Sequence, residues 1–152
     1  MWHIVSYDII GAAFLSKISE YTFLAISDED ARTEIIDGYL KRAVSEFRKN
    51  CLYDLSSSAD DENRCFDIEI EAEDIDEIVN ILSDGMIIQW LKPYIFKQEV
   101  LQNIINTRDF TQYSNAELLN RLNQTYKKAQ DDYKHAIREY SFNHAKLKEL
   151  HA

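Results

Sequence analysis

From Ser114 to Ala152 no proline or glycine interrupts the chain. Within that stretch Leu119, Leu122, Tyr126, Ala129, Tyr133, Ala136, Ile137 and Tyr140 recur every three or four residues, the spacing that places side chains on one face of an α-helix. Ser114 and Glu117 form a capping box, each able to satisfy an orphan amide at the helix start. An unbroken helix of this length reaches about 50 Å. Its stripe is narrow and flanked by polar residues, like a coiled-coil seam made irregular by tyrosine and alanine. This predicts packing along a neighbour rather than immersion in a core. Glycine (3) and proline (1) are scarce over all 152 residues, which favours long helices over a meandering sheet.

The same periodicity appears earlier. Ser27-Asp28-Glu29-Asp30 supplies a cap and anions for a helix start, followed by Ile35, Ile36, Tyr39, Leu40, Ala43, Val44 and Phe47. From Asp74 a further helix carries Ile75, Ile78, Val79, Leu82, Met86 and Trp90, with Ile81, Ile87, Ile88 and Leu91 widening its apolar face. A helix apolar over so much of its circumference is either central to the core or covered by another chain. Pro93 is expected to stop it, with a shorter helix following through Val100, Leu101, Ile104 and Ile105. Near the start, Ser6 can cap a short helix through Tyr7, Ile10, Phe14 and Leu15. Residues 54–65 read as an acidic mobile loop. Phe66, Ile68 and Ile70 then alternate with Asp67, Glu69 and Glu71, which suits a short edge strand or an extended lead-in to the next helix. The expected fold is therefore mainly all-α: a single helical domain over 1–152, a bundle with a long helix and tail over 114–152, and room for one short strand or hairpin near 65–72.

Charge is unevenly placed. The net charge is −10, and the window Asp54–Glu77 alone holds eleven acids against one base, Arg64. The tail from Ser114 holds seven Lys and Arg against five Asp and Glu. Broad binding to nucleic acid or to an anionic membrane needs a basic footprint, which is lacking. An acidic patch suits a basic partner, a surface that repels DNA, or solubility. The first residues have no basic leader, and no run approaches the ~20 apolar residues of a membrane span. A soluble protein made inside a cell is expected. Cys51 and Cys65 lack the CxxC spacing of a zinc or redox site and read as reduced, half-buried small hydrophobes.

No active site is legible. His135 and His144 lie nine positions apart, about 180° around a helix, so they cannot share an ion, and the histidines read as surface residues. No glycine-rich phosphate loop or nucleophile elbow is present. The acidic run Asp67, Glu69, Glu71, Glu73, Asp74, Asp76, Glu77 lacks the glycine of a calcium loop and reads as a solvated or partner-facing edge rather than a metal site. No catalytic residue, metal or cofactor is expected. Trp90, Tyr94, Phe96, Phe110 and Tyr113 concentrate aromatics that serve either as core or as interface anchors.

The segments Gly85-Met-Ile-Ile-Gln-Trp-Leu-Lys-Pro93, Thr107-Arg-Asp-Phe-Thr-Gln-Tyr-Ser-Asn-Ala-Glu-Leu-Leu119 and Ile137-Arg-Glu-Tyr-Ser141 resemble small proteins of tailed-bacteriophage structural modules, the head-to-tail connector or neck proteins. Asn115 departs from the proline expected at the first helical position, and the first sixty residues match only as a generic acidic-capped helix. The resemblance implies a non-enzymatic virion protein, assembled in the host bacterial cytoplasm, that forms a homo-oligomeric, dodecameric ring beneath the portal protein. Such a ring extends the DNA channel, passes genomic DNA without sequence-specific binding, and docks tail or neighbouring neck proteins. On this reading Trp90, Tyr94, Phe110, Tyr113, Tyr126, Tyr133, Tyr140, Arg138, Lys146 and Lys148 meet sister subunits or portal. Asp67, Glu69, Glu71, Glu73 and Asp74 line the lumen or its rim. The competing readings are an acidic DNA-mimic or inhibitor that binds a nuclease or repressor, an enzyme or metal-dependent hydrolase, and a generic helical interaction module.

Overall fold

A computed structural model of the chain describes residues 2–18, 29–96 and 115–151. In chain order these form β1 (Trp2–Ser6), α1 (Tyr7–Lys17), α2 (Glu29–Phe47), α3 (Leu55–Ser58), β2 (Ala59–Asp60), β3 (Cys65–Glu71), α4 (Ala72–Phe96) and α5 (Asn115–His151). The fold is mainly helical, with a long C-terminal helix and a small antiparallel sheet.

The alternation after Cys65 is a true strand. Phe66 and Ile70 are buried while Asp67, Glu69 and Glu71 face solvent. It is not the edge strand expected: β3 is the centre of a three-stranded sheet of order β1-β3-β2, with β1 and β2 supplying a partner on each side. Val5 pairs with Phe66 and Ala59 with Phe66 on opposite sides, and β1 changes register between His3 and Val5. The expected loop over 54–65 is corrected by the structure. It holds the one-turn helix α3, capped by the Asp54 carboxylate on the Ser57 amide (3.0 Å), then β2 and a tight turn. In that turn the Asp60 carboxylate accepts from the Asn63 amide at 3.1 Å, and Arg64 takes the left-handed backbone conformation at φ 54°.

Arg64, the lone base of the acidic window, is held from several sides. Its guanidinium grips Asp37 of α2 through two bonds of 2.8 Å and Asp8 of α1 through one of 2.7 Å. Its carbonyl accepts the Tyr7 amide at 2.9 Å. These contacts hold a residue whose backbone alone disfavours the geometry. Ser6 caps α1 as its position predicts, accepting from the Asp8 amide at 3.1 Å.

α4 is the centre of the core. Ile78, Ile81, Leu82, Met86, Ile88 and Leu91 are all at most 4 % exposed, and each contributes about 1.5–3 kcal/mol by leaving water. α1, α2 and α5 pack against it, so the chain itself covers this face and no second copy is needed there. Lys17 ties the end of α1 to α4, donating to the Asn80 side chain (2.8 Å), Ser83 (2.7 Å) and Asp84 (2.8 Å). Pro93 does not stop α4, which runs on to Phe96. Proline removes one helical N–H bond, and Leu91, 2 % exposed, keeps the segment seated on the core.

α5 is 37 residues long, about 55 Å. Its stripe docks on α4: Tyr133 is 8 % and Tyr140 0 % exposed, with Tyr126, Ala129, Ala136 and Ile137 packed beside them. Among the described residues no helix is long and apolar enough to cross a membrane. The expected helix near Val100–Ile105 and the cap Ser114 lie outside the described residues.

Candidate functional site

At the start of α4, two carboxylates meet a histidine from α5. Asp74 lies in the first turn of α4, and Glu77, three residues on, shares its side of the helix. His144 reaches them from α5, with Nε2 3.8 Å from Asp74 Oδ1 and 3.9 Å from Glu77 Oε2. One ligand atom from each residue can be chosen so that all three lie within 4.8 Å of one another. His144 is only 7 % exposed, and its Nε2 is shielded from solvent without a hydrogen-bond partner. Both carboxylates stand beyond the 2.7–3.2 Å range of such a bond.

Neighbouring side chains fix this geometry. The Tyr53 hydroxyl donates to Asp74 Oδ2 at 2.6 Å, which leaves Oδ1 turned towards His144. Burial, and next the bond to Asp74, push the Tyr53 phenol up to about 12. The Tyr140 ring lies against the His144 imidazole, centroids 4.1 Å apart, one helical turn before it. Its hydroxyl accepts the Leu52 amide at 3.2 Å and sits 3.8 Å from Cys51 Sγ. Burial raises the Tyr140 phenol and also the Cys51 thiol. Both cysteines are free and half-buried, in keeping with the sequence reading. Chemically, the cluster offers one buried nitrogen donor and two anionic oxygen donors around one point.

The residues expected at a subunit interface fall into four groups. Tyr133 and Tyr140 are corrected: the chain's own α4 and α2 seal them inside, Tyr140 edge-to-face with Phe47 at 5.3 Å. Trp90 and Tyr126 are half-buried, Trp90 against Phe14 at 6.4 Å. Arg138 is exposed. Phe110 and Tyr113, and the side chains of Tyr94, Lys146 and Lys148, lie outside the described residues. Of the acidic set, Asp67, Glu69, Glu71 and Glu73 are exposed, whereas Asp74 is half-buried in the His144 cluster. His144 is likewise no surface residue. Its carboxylate partners stand about seventy positions earlier, so no local spacing could have announced them. The one local signal the sequence holds is Asp74 and Glu77 at helical spacing, which by itself says nothing of His144.

The chain matches no protein-family model, and neither the curated proteins nor the solved structures contain a match to it. Fold and site together define a mainly helical protein with a small antiparallel sheet and a histidine–dicarboxylate cluster where α4 meets α5.

Proposed function

We propose that this chain is a non-enzymatic structural protein of a tailed-bacteriophage virion, a head-to-tail connector whose copies form a ring that docks on the portal and extends the DNA channel. The observation that carries the reading is the outward file Asp67, Glu69 and Glu71 on β3, all exposed. A like-charged strand face repels a passing duplex, which is what the wall of a DNA channel requires. The motif resemblance through Trp90-Leu-Lys-Pro93 and Asp109-Phe110 supports the same assignment. With Tyr133 and Tyr140 buried within the chain, the proposed ring would have to use other side chains. Arg138, Phe142 (58 % exposed), Ile4 (54 %) and Ile9 (52 %) are the exposed candidates. A ring needs two different patches that meet head-to-tail.

The test is native mass spectrometry of the full chain, alone and mixed with portal protein from the same structural gene module. A closed ring in either sample supports the proposal. A monomer that ignores portal overturns it. A monomer or dimer that displaces DNA from a basic nuclease or repressor points to the acidic DNA-mimic reading, which the same exposed file favours.

A further inference from the structure

We propose that Asp74, Glu77 and His144 bind a divalent cation of the zinc class, and that the bound ion fastens α5 to the start of α4. Two independent observations converge on this. The first is geometric: ligand atoms from two helices lie within 4.8 Å of one another. The second is His144 Nε2, a buried ring nitrogen aimed between the carboxylates with no hydrogen bond. Burying a polar atom without a partner disfavours the fold, and a cation at this point would supply the partner.

The dimensions suit a small ion. Zinc binds imidazole nitrogen and carboxylate oxygen at about 2.0–2.2 Å, and tetrahedral angles then separate the ligand atoms by about 3.4 Å. The histidine-to-carboxylate gaps of 3.8 and 3.9 Å must close by about 0.5 Å. Rotation of Glu77, whose side chain is 33 % exposed, closes its own gap, and the gap to Asp74 needs a shift of a few tenths of an ångström by the His144 or Asp74 side chain. The exposure of Glu77 also leaves a route for water to the fourth position. The donor set selects the ion class. An imidazole disfavours calcium and magnesium, which take oxygen ligands, and the absence of thiolate from the trio disfavours soft monovalent copper. Tyr53, bonded to the free oxygen of Asp74, stands where an outer partner orients a metal-binding carboxylate.

The ion would join positions about seventy residues apart in sequence, in a single copy of the chain. The inference therefore stands whether or not the protein forms a ring. It is tested on the metal-free full chain by calorimetric titration with Zn²⁺, and with Co²⁺ read by its visible absorption. One ion per chain is expected, with the intense Co²⁺ bands of a four-coordinate site. Glu77→Gln keeps the size of a partly exposed side chain, and should weaken Zn²⁺ at least ~10-fold. His144→Gln should abolish the Co²⁺ signature, and Tyr53→Phe should weaken binding by about 10-fold. Asp76→Asn, an exposed neighbour outside the trio, should bind as the parent does. Absence of saturable binding in the parent chain overturns the proposal, as does equal affinity in Glu77→Gln and Asp76→Asn. Because Glu77→Gln leaves the core intact, a folding failure of His144→Gln does not remove the test.

Discussion

Substituting alanine at Gly38 and, separately, at Gly85 pits helix propensity against the packing of three helices. Both glycines sit inside helices, Gly38 in α2 and Gly85 in α4. Replacing such a glycine by alanine contributes about 0.8–1 kcal/mol through the backbone. At Gly38 an added Cβ meets nothing within 4 Å. That variant should therefore gain about 1 kcal/mol and about 2–4 °C in Tm. At Gly85 the Cβ would lie 3.1 Å from Ala43 Cβ and 3.1 Å from Tyr133 Cε2. Ala43 is 0 % and Tyr133 8 % exposed, so neither can swing into solvent. The methyl of Ala43 moves only if α2 moves. Overpacking of this kind costs about 1–3 kcal/mol, against a gain of about 1, so Gly85→Ala should lose about 1 kcal/mol. The two variants then differ by about 2 kcal/mol, readable in urea unfolding followed by circular dichroism with a shared slope. A Gly85→Ala gain equal to that of Gly38→Ala would mean that α2, α4 and α5 do not converge at Gly85 in solution, and the described core would be wrong there.

Three further outcomes are expected. Tyr140→Phe removes the hydroxyl that accepts the Leu52 amide and should lower stability by about 1 kcal/mol in the same assay; no change would show that the bond contributes nothing. Arg64→Lys cannot reproduce the two-bond grip on Asp37 and should lose about 1–2 kcal/mol, which an unchanged midpoint would refute. Burial pushes the Tyr53 phenol from its ordinary 10 to about 12 and raises Tyr133 and Tyr140 in the same direction. These phenols stay protonated in the fold when the unfolded chain has ionised, so stability is full below pH 10 and falls as pH climbs from 10 through 12. A Tm unchanged between pH 9 and pH 12 would contradict that assignment.

What sequence could show depended on how far apart the partners were. α2, α4 and α5 carry enough turns for the spacing of Leu40, Ala43, Val44 and Phe47, or of Tyr133 and Tyr140, to declare a buried face. Alternation marks β3 as extended chain, but its central place depends on β1 and β2, which are too short to show a pattern. In β1 five residues, Trp-His-Ile-Val-Ser, hold too few repeats, and the pairing that makes them a strand comes from Phe66 and Ile70, some sixty positions later. The tyrosine stripe was read correctly as a packing face but assigned to a neighbour outside the chain. Whether a stripe meets its own α4 or a sister copy is decided by how the chain turns back, which periodicity does not contain. His144 failed for the same reason.

Folding divides the acidic window into two parts that sequence presents as one. Asp61 receives Tyr7 and Lys41, and Asp74 receives Tyr53 and faces His144. These acids connect elements, Asp61 from an exposed position and Asp74 from a half-buried one. Asp67, Glu69 and Glu71 turn outward from β3, with successive side chains on that face about 7 Å apart. In water each neighbouring pair repels by about 0.6 kcal/mol before salt screening. By its own charge repeat the file is thus slightly unfavourable to the fold. Its influence falls on whatever approaches the sheet. A duplex is pushed away, a basic partner is drawn in, and salt weakens both effects alike. The two are therefore distinguished by the sign of the response, not by its salt dependence: neutralising Asp67, Glu69 and Glu71 would make DNA adhere to a channel wall but would release a basic partner from a mimic.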